Sequence, residues 1–150
     1  MNIIKKINSA QYLSEDGAKL ILRLAVGGTV LLHGWFKVVN PETVGFIASL
    51  FAAWHLPAFL AYLVYIGEVV APAMLILGWQ TKIASMLVAV TMIVAVVLVH
   101  LSDIFALNDV GGWGIELQAL MLFGAVAIYG LGAGRYSLDA KSTRETVTIP

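Results

Sequence analysis

The 150-residue chain has no cysteine, few charged residues and no excess of either charge. The lack of cysteine excludes disulfides, thiolate zinc sites and cysteine-ligated iron–sulfur clusters. Lysine and arginine together number nine, as do aspartate and glutamate, which leaves no basic surface for nucleic acid. The sequence also lacks a glycine-rich phosphate loop and a nucleophile elbow. Redox chemistry in this protein would therefore need a bound cofactor or a redox-active substrate.

Hydrophobic residues, in contrast, make up 60% of the sequence, and charged residues make up 12%. Soluble domains hold roughly 45–50% apolar and roughly 25% charged residues, and a domain of this size cannot bury the excess. Four apolar segments, each about as long as a bilayer-crossing helix, run over about 18–36, 58–78, 83–101 and 115–134. We predict an all-α integral membrane protein, a four-transmembrane-helix bundle over 1–140. The polar tail over 141–150 follows it, and the last dozen residues should be poorly ordered.

A helix of a different kind is predicted between the first two spans. Asn40 can cap this helix, Pro41 suits its first turn, and Pro57 ends it. Apolar side chains recur at helical spacing along one face and polar ones occupy the other; the apolar ones are Val44, Ile47, Phe51 and Trp54. Such an amphipathic helix lies flat in the membrane interface. We expect it on the outer surface.

The distribution of lysine and arginine predicts the orientation, because cytoplasmic loops are richer in these residues. Lys37 alone falls at the outer end of the spans. Seven others fall at the end that carries both termini, namely Lys5, Lys6, Lys19, Lys82, Arg135, Lys141 and Arg144. Both termini should therefore be cytoplasmic.

Ionisable side chains inside the spans are candidate functional residues, because they are costly in lipid and usually mark a site. Glu68 lies about 15 Å into the second span at helical rise, close to the middle of the bilayer. Arg23, His33 and Lys37 share one face of the first span. An Arg23–Glu68 ion pair is the expected electrostatic match. Alternatively, Glu68 serves to hold helices together, and Arg23 extends to the lipid headgroups.

Further polar groups are expected at the outer ends of the spans. His100 ends the third span and Glu116 begins the fourth. Topology places both at the level of His33 and Lys37, above Glu68. We predict a polar pocket in the outer half of the bundle, lined by His33, Lys37, Glu68 and His100, with Arg23 below. Two histidines and a carboxylate could also bind a metal ion, but their spacing matches no ligand motif, and we assign none. The simpler interpretation is a set of interfacial side chains, with Glu116 favoured by a helix dipole.

Several segments, taken in order, resemble the DoxX family over about residues 20–140. They are LILRLAVG, HGWFK, YIGEVVAPAMLILG, LVHL, a GGW turn and GAGRYSLD, and they contain Arg23, His33, Lys37, Glu68 and His100. The resemblance implies a small four-helix protein of the bacterial inner membrane. It also implies an oxidoreductase function coupled to quinone, or resistance to quinones, catechols and oxidative stress. The acidic residue expected soon after the glycine pair is displaced here to Glu116.

The expected function is that of a quinone-linked oxidoreductase subunit, catalytic or accessory, in a larger complex or a homo-oligomer. In this hypothesis the catalytic groups that exchange protons with the quinone are Glu68, His33 and His100. Lys37 stabilises the reduced oxygen, and the other substrate-binding residues are Arg23, Tyr65 and Glu116. Two alternatives stay open: a protein that binds or transports a small solute or metal ion, and a membrane anchor for soluble redox enzymes.

Overall fold

A computed structural model describes the backbone of residues 13–147 and the side chains of residues 13–142. Lys5, Lys6 and the Arg144 side chain, which contributed to the predicted orientation, lie outside the described residues, as does the end of the tail. The helices are α1 (Glu15–Val39), α2 (Glu42–Ala53), α3 (Ala58–Leu77), α4 (Thr81–Val99), α5 (Glu116–Leu131) and α6 (Leu138–Val147), with a 3-10 turn over Leu101–Phe105. The described residues contain one isolated bridge and no β-strand.

The helix lengths confirm the prediction of an all-α membrane bundle. Three helices, α1, α3 and α4, are long and apolar enough to cross a membrane. The fourth predicted span is shorter than expected, since α5 has 16 residues, or about 24 Å at helical rise. Its early end has a local cause. Gly132 and Gly134 adopt positive φ angles of 75° and 73°, which a right-handed helix cannot contain.

Small and medium side chains lie inside the bundle and large apolar ones lie on its surface, as expected for helices surrounded by lipid. The core consists mostly of small and medium residues, which are Val26, Val30, Ala71, Leu75, Ala84, Val88, Met92, Met121, Ala125 and Ile128. Large apolar residues point outward instead, and four of them, Leu32, Phe59, Leu120 and Phe123, are 63–71% exposed. Small residues let membrane helices approach closely, and the large ones dissolve in acyl chains.

The interfacial helix α2 follows α1 after a two-residue turn and packs on the first turn of α3. Val44 is buried beneath it, Ile47 and Phe51 are half-buried, and Trp54 is exposed. The predicted side-chain cap by Asn40 is wrong, because its amide donates instead to the carbonyl of Phe36 at 2.9 Å and closes α1. Three of the four residues of the predicted apolar face, Val44, Ile47 and Phe51, therefore pack toward the bundle, and Trp54 does not.

The end of the bundle opposite α2 is closed by the turn between α3 and α4 and by α6; we call this end the base. Asp139 of α6 accepts hydrogen bonds from the N–H groups of Gln80 (2.7 Å) and Thr81 (2.9 Å) and caps α4. Its own N–H donates to Gly78 at 2.9 Å. These contacts dock the start of α6, Leu138–Val147. Poor order at the chain end stays a prediction, and residues 148–150 lie outside the described residues.

Candidate functional site

Glu68 is buried in the middle of α3, where the helix widens into a π-turn over Ile66–Val70. Pro72 explains the widening. A proline has no N–H for the carbonyl four residues earlier, which is that of Glu68, and its ring clashes with this carbonyl in a regular helix. Single π-turns in α-helices occur frequently at functional sites. The sequence predicts a kink here but not the π-turn.

Gly34 brings α1 against α3 at this point. A Cβ atom at residue 34 would overlap the carbonyl group of Glu68, so the two backbones touch where any other residue would separate them. One turn further along α1, Nζ of Lys37 donates a hydrogen bond to Oε2 of Glu68. The two side chains are 19% and 7% exposed. The site therefore contains a nearly buried ion pair.

The prediction that Arg23 pairs with Glu68 is wrong, because Arg23 lies at the base. Its Nη1 donates to the carbonyl of Leu75 at 2.9 Å and of Ile76 at 3.4 Å, and its Nη2 donates to that of Tyr136. The last carbonyls of a helix have no partner within the helix. Arg23 thus satisfies the end of α3 and ties it to the segment that leads into α6.

A large cavity of about 420 Å³ lies beneath α2, between α3 and α4. The apolar residues that form most of its wall include Ile47 and Phe51 of α2, Leu60 and Val64 of α3, and Leu87, Val94 and Leu98 of α4. Three polar side chains reach it, those of Lys37, Glu68 and Thr91. The volume falls within the range of about 300–1,000 Å³ typical of small-molecule sites. We call it the large cavity.

Thr91 could not be singled out from the sequence, since a lone threonine in an apolar span has no distinguishing pattern. Its hydroxyl donates to the carbonyl of Leu87 at 2.9 Å and can accept a further hydrogen bond from a ligand. A Cβ atom at Gly67 would overlap that hydroxyl. The absence of a side chain at residue 67 therefore allows Thr91 to face α3 beside Glu68.

Tyr65 positions the ion pair from outside the large cavity. Its hydroxyl donates to the backbone carbonyl of Lys37 at 3.3 Å and joins α3 to the last turns of α1. Tyr65 does not line the large cavity. The substrate-binding role of Tyr65 stays a prediction.

A small cavity of about 80 Å³ lies between α1, α4 and α5. Its polar side chains are those of His33, Glu68 and Gln118, and the rest of its wall is Val30, Met92, Ala95, Leu117 and Met121. Glu68 and Ala95 line both cavities. His33 and Glu68 are therefore brought together as expected, but on the side of Glu68 away from the large cavity. Gln118 was not predicted, although a glutamine within an apolar span is a visible signal.

His100 and Glu116 line neither cavity and lie in the loop region at the end of the bundle opposite the base. Nδ1 of His100 pairs with Oδ2 of Asp103 at 3.0 Å, and Glu116 is exposed beside Gly112. The hydrogen bond from His100, assisted by one from Ser102, holds the pKa of Asp103 below its ordinary value. Among the described residues, no three His, Asp or Glu side chains lie close enough together to bind a metal ion.

Comparison with known proteins agrees with this architecture. The model of the DoxX family matches residues 18–101, which include α1, α2, α3 and α4. The chain belongs to the DoxX family. The match covers Lys37, Glu68 and Thr91 and ends before α5. The polar groups of the large cavity therefore lie wholly within the family region.

Two curated relatives cover most of the chain. The "Uncharacterized membrane protein Rv3486" of Mycobacterium tuberculosis is 30% identical over 134 residues, 83% of this chain and 81% of the relative. The "Putative oxidoreductase CatD" of Bacillus subtilis is 29% identical over 121 residues, 80% of this chain and 83% of the relative. No solved structure matches the chain significantly.

Proposed function

We propose that this DoxX-family protein is a quinone-binding subunit of a membrane oxidoreductase, with the quinone in the large cavity. The observation that carries the proposal is the Lys37–Glu68 ion pair, which is nearly buried and lines an otherwise apolar cavity. Burying two charges costs free energy that a purely structural contact between apolar helices would not require. The name of the Bacillus relative, which includes oxidoreductase, supports the proposed reaction class.

The position of the large cavity suits a ligand that arrives through the lipid. Five of the residues that line it are also 40–53% exposed on the outer surface of α3 and α4, namely Leu63, Ile66, Val90, Val94 and Val99. That surface faces acyl chains in a bilayer. A lipid-soluble ring with an isoprenoid tail can therefore enter between α3 and α4 and leave its tail among the lipids.

The polar groups supply what the chemistry of a quinone requires. Reduction of a quinone to a quinol consumes two electrons and two protons, and negative charge develops on the carbonyl oxygens. The Lys37 ammonium donates hydrogen bonds and stabilises this charge in a dry site. The Glu68 carboxylate can take up a proton and then transfer it to the quinone, and Thr91 can accept a hydrogen bond from the quinol hydroxyl.

The electrons must come from a partner, because the sequence has neither cysteine ligands nor a nucleotide-binding fingerprint. We propose a redox enzyme in the cytoplasm, bound at the base, as the donor. This placement requires both termini to be cytoplasmic in the bacterial inner membrane, as the charge distribution predicts. Labelling of cysteines introduced at Ser142 and Asn108 tests the orientation. The cysteine at residue 108 should react with a reagent added outside the cell, and reaction of the cysteine at residue 142 would show the opposite orientation.

The cavity is tested with a photoreactive quinone analogue and the purified protein in lipid nanodiscs. Val94 lines the large cavity and is 40% exposed, whereas Val97 on the same helix is 39% exposed and lies outside the lining. Val94→Trp places an indole in the cavity and should lower quinone affinity at least about tenfold, or about 1.4 kcal/mol. Val97→Trp should leave affinity unchanged. Equal affinities, or labelling confined to α5 or α6, would refute the site.

The role of Glu68 is tested separately, by turnover in the native complex. Glu68→Gln keeps the shape of the side chain but removes the proton donor, so quinone-dependent turnover should fall at least about tenfold. The matched control is Glu42→Gln, which changes an exposed carboxyl group at the start of α2, away from the base and outside the lining of both cavities, and should leave turnover unchanged. Unchanged turnover in a folded Glu68→Gln variant would remove Glu68 from the mechanism.

A further inference from the structure

The small cavity places polar groups on the second side of Glu68, where the proposed quinone does not reach. Its three polar side chains come from different helices: His33 from α1, Glu68 from α3 and Gln118 from α5. Glu68 also lines the large cavity. The carboxyl group thus stands as a partition between two cavities of different size and polarity.

We propose that the small cavity holds water and is the route by which Glu68 exchanges protons with the aqueous phase at the outer end. This inference rests on the proposed function and deepens it. A volume of about 80 Å³ accommodates several water molecules, and a buried water needs two to four polar partners. The three polar side chains provide these partners. His33 is exposed, so it stands at the mouth of the route.

A separate route is needed because the quinone and its tail displace water from the large cavity. Glu68 starts as a carboxylate paired with Lys37, so it must first gain a proton. During reduction, the O–H bond of this protonated Glu68 then breaks as an O–H bond forms on a quinone oxygen. This transfer occurs twice for each quinone, while the partner's reduced carrier supplies two electrons. The carboxylate must then recover a proton. Lys37 bonds one oxygen of Glu68, but a carboxylate can accept about four hydrogen bonds. Water in the small cavity can therefore bond the same group and return the proton from His33.

Gln118 acts in this route as a positioning residue, since an amide side chain does not gain or lose protons near neutral pH. It donates and accepts hydrogen bonds and can orient water between His33 and Glu68. Among the residues that line the two cavities, the titratable groups facing Glu68 are His33 and Lys37 of α1. The lining residues from α4 and α5 carry no titratable group.

The water is tested without quinone, by radiolytic hydroxyl-radical footprinting of the purified protein in nanodiscs. Met92 and Met121 line the small cavity but are each 5% exposed, so bulk radicals reach them poorly, whereas radicals from trapped water would oxidise both. Met74 is a partly buried control outside the lining. Met92 and Met121 should be oxidised at least about fivefold faster than Met74. Rates equal to or below that of Met74 would overturn the inference.

Two substitutions of Gln118 extend the test and guard against misfolding. Gln118→Leu should slow oxidation of both methionines several-fold and slow quinone-dependent turnover, with quinone affinity unchanged. Gln118→Asn keeps the amide and should restore both. If quinone binds but the methionines are protected, the water route fails and the proposed function stands. If the methionines are oxidised but no quinone binds, the proposed function fails and the inference falls as a proton route to quinone.

Discussion

The contact between Gly34 and Glu68 can be tested by adding one carbon atom. In Gly34→Ala, the new Cβ would lie 2.5 Å from the carbonyl carbon of Glu68 and 2.9 Å from Cγ2 of Val69, and closer still to the carbonyl oxygen. Favourable contacts between carbon atoms lie at about 3.5–4.0 Å. The obstacle is mainly backbone, which cannot rotate away. We therefore expect α1 to move outward by about 1 Å and to weaken the Lys37–Glu68 pair.

The magnitude follows from two opposing effects. Overpacking of a well-packed site costs about 1–3 kcal/mol, while alanine is preferred over glycine in a helix by up to about 1 kcal/mol. Gly28 on the same helix has no atom within 4 Å of the position that a Cβ atom would take. Gly28→Ala should therefore gain the second effect alone. Because the helix preference of alanine applies to both variants, they should differ by the overpacking cost alone, about 1–3 kcal/mol in the free energy of unfolding.

The assay is thermal unfolding of both variants in the same detergent. One kcal/mol corresponds to about 2–4 °C in a protein of this size, so the apparent Tm of Gly34→Ala should lie at least about 2 °C below that of Gly28→Ala. Quinone affinity should fall in Gly34→Ala and be unchanged in Gly28→Ala. Equal Tm values would refute the close backbone contact on which the site depends.

Two further predictions concern the ends of the bundle. Asp139→Ala removes both hydrogen bonds that cap α4 and should cost about 0.5–2 kcal/mol in unfolding experiments; Asp109→Ala, in an exposed loop, should cost under about 0.5 kcal/mol, and equal losses would contradict the cap. Because hydrogen bonds from His100 and Ser102 lower the pKa of Asp103, the stability it confers should be complete above about pH 4 and be lost as the pH falls through the lowered pKa of the folded state. Carbon NMR titration of its carboxyl group should show this lowered midpoint and a rise in His100→Gln; an identical midpoint in the variant would contradict the assignment.

The sequence predicts the membrane helices and the interfacial helix because these depend on local properties. A long apolar run requires lipid whatever its neighbours are, and the spacing of Val44, Ile47 and Phe51 defines an apolar face within one helix. The end of α5 at Gly132 was missed by a few residues. Apolar composition continues through that glycine, whereas the backbone angle that ends the helix is not visible in composition.

Local properties of the sequence do not predict which residues pair with the buried charges. Helical geometry correctly placed Arg23, His33 and Lys37 along α1, but charge matching alone favoured Arg23 for Glu68. The choice of Lys37 depends on the contact at Gly34, which sets the depth at which α1 and α3 meet. Arg23 then lies too far along the helix and bonds the end of α3 instead.

By itself, then, the sequence determined a bundle of apolar helices with ionisable groups inside it, because solubility in lipid and helical period are properties of single segments. The tertiary structure alone decided that Glu68 faces two cavities and that Lys37 pairs with it. It also decided that Gln118, fifty residues after Glu68 in the chain, lines the small cavity together with His33. The physical reason is that these relations are set by the packing of one helix on another, which no single segment encodes.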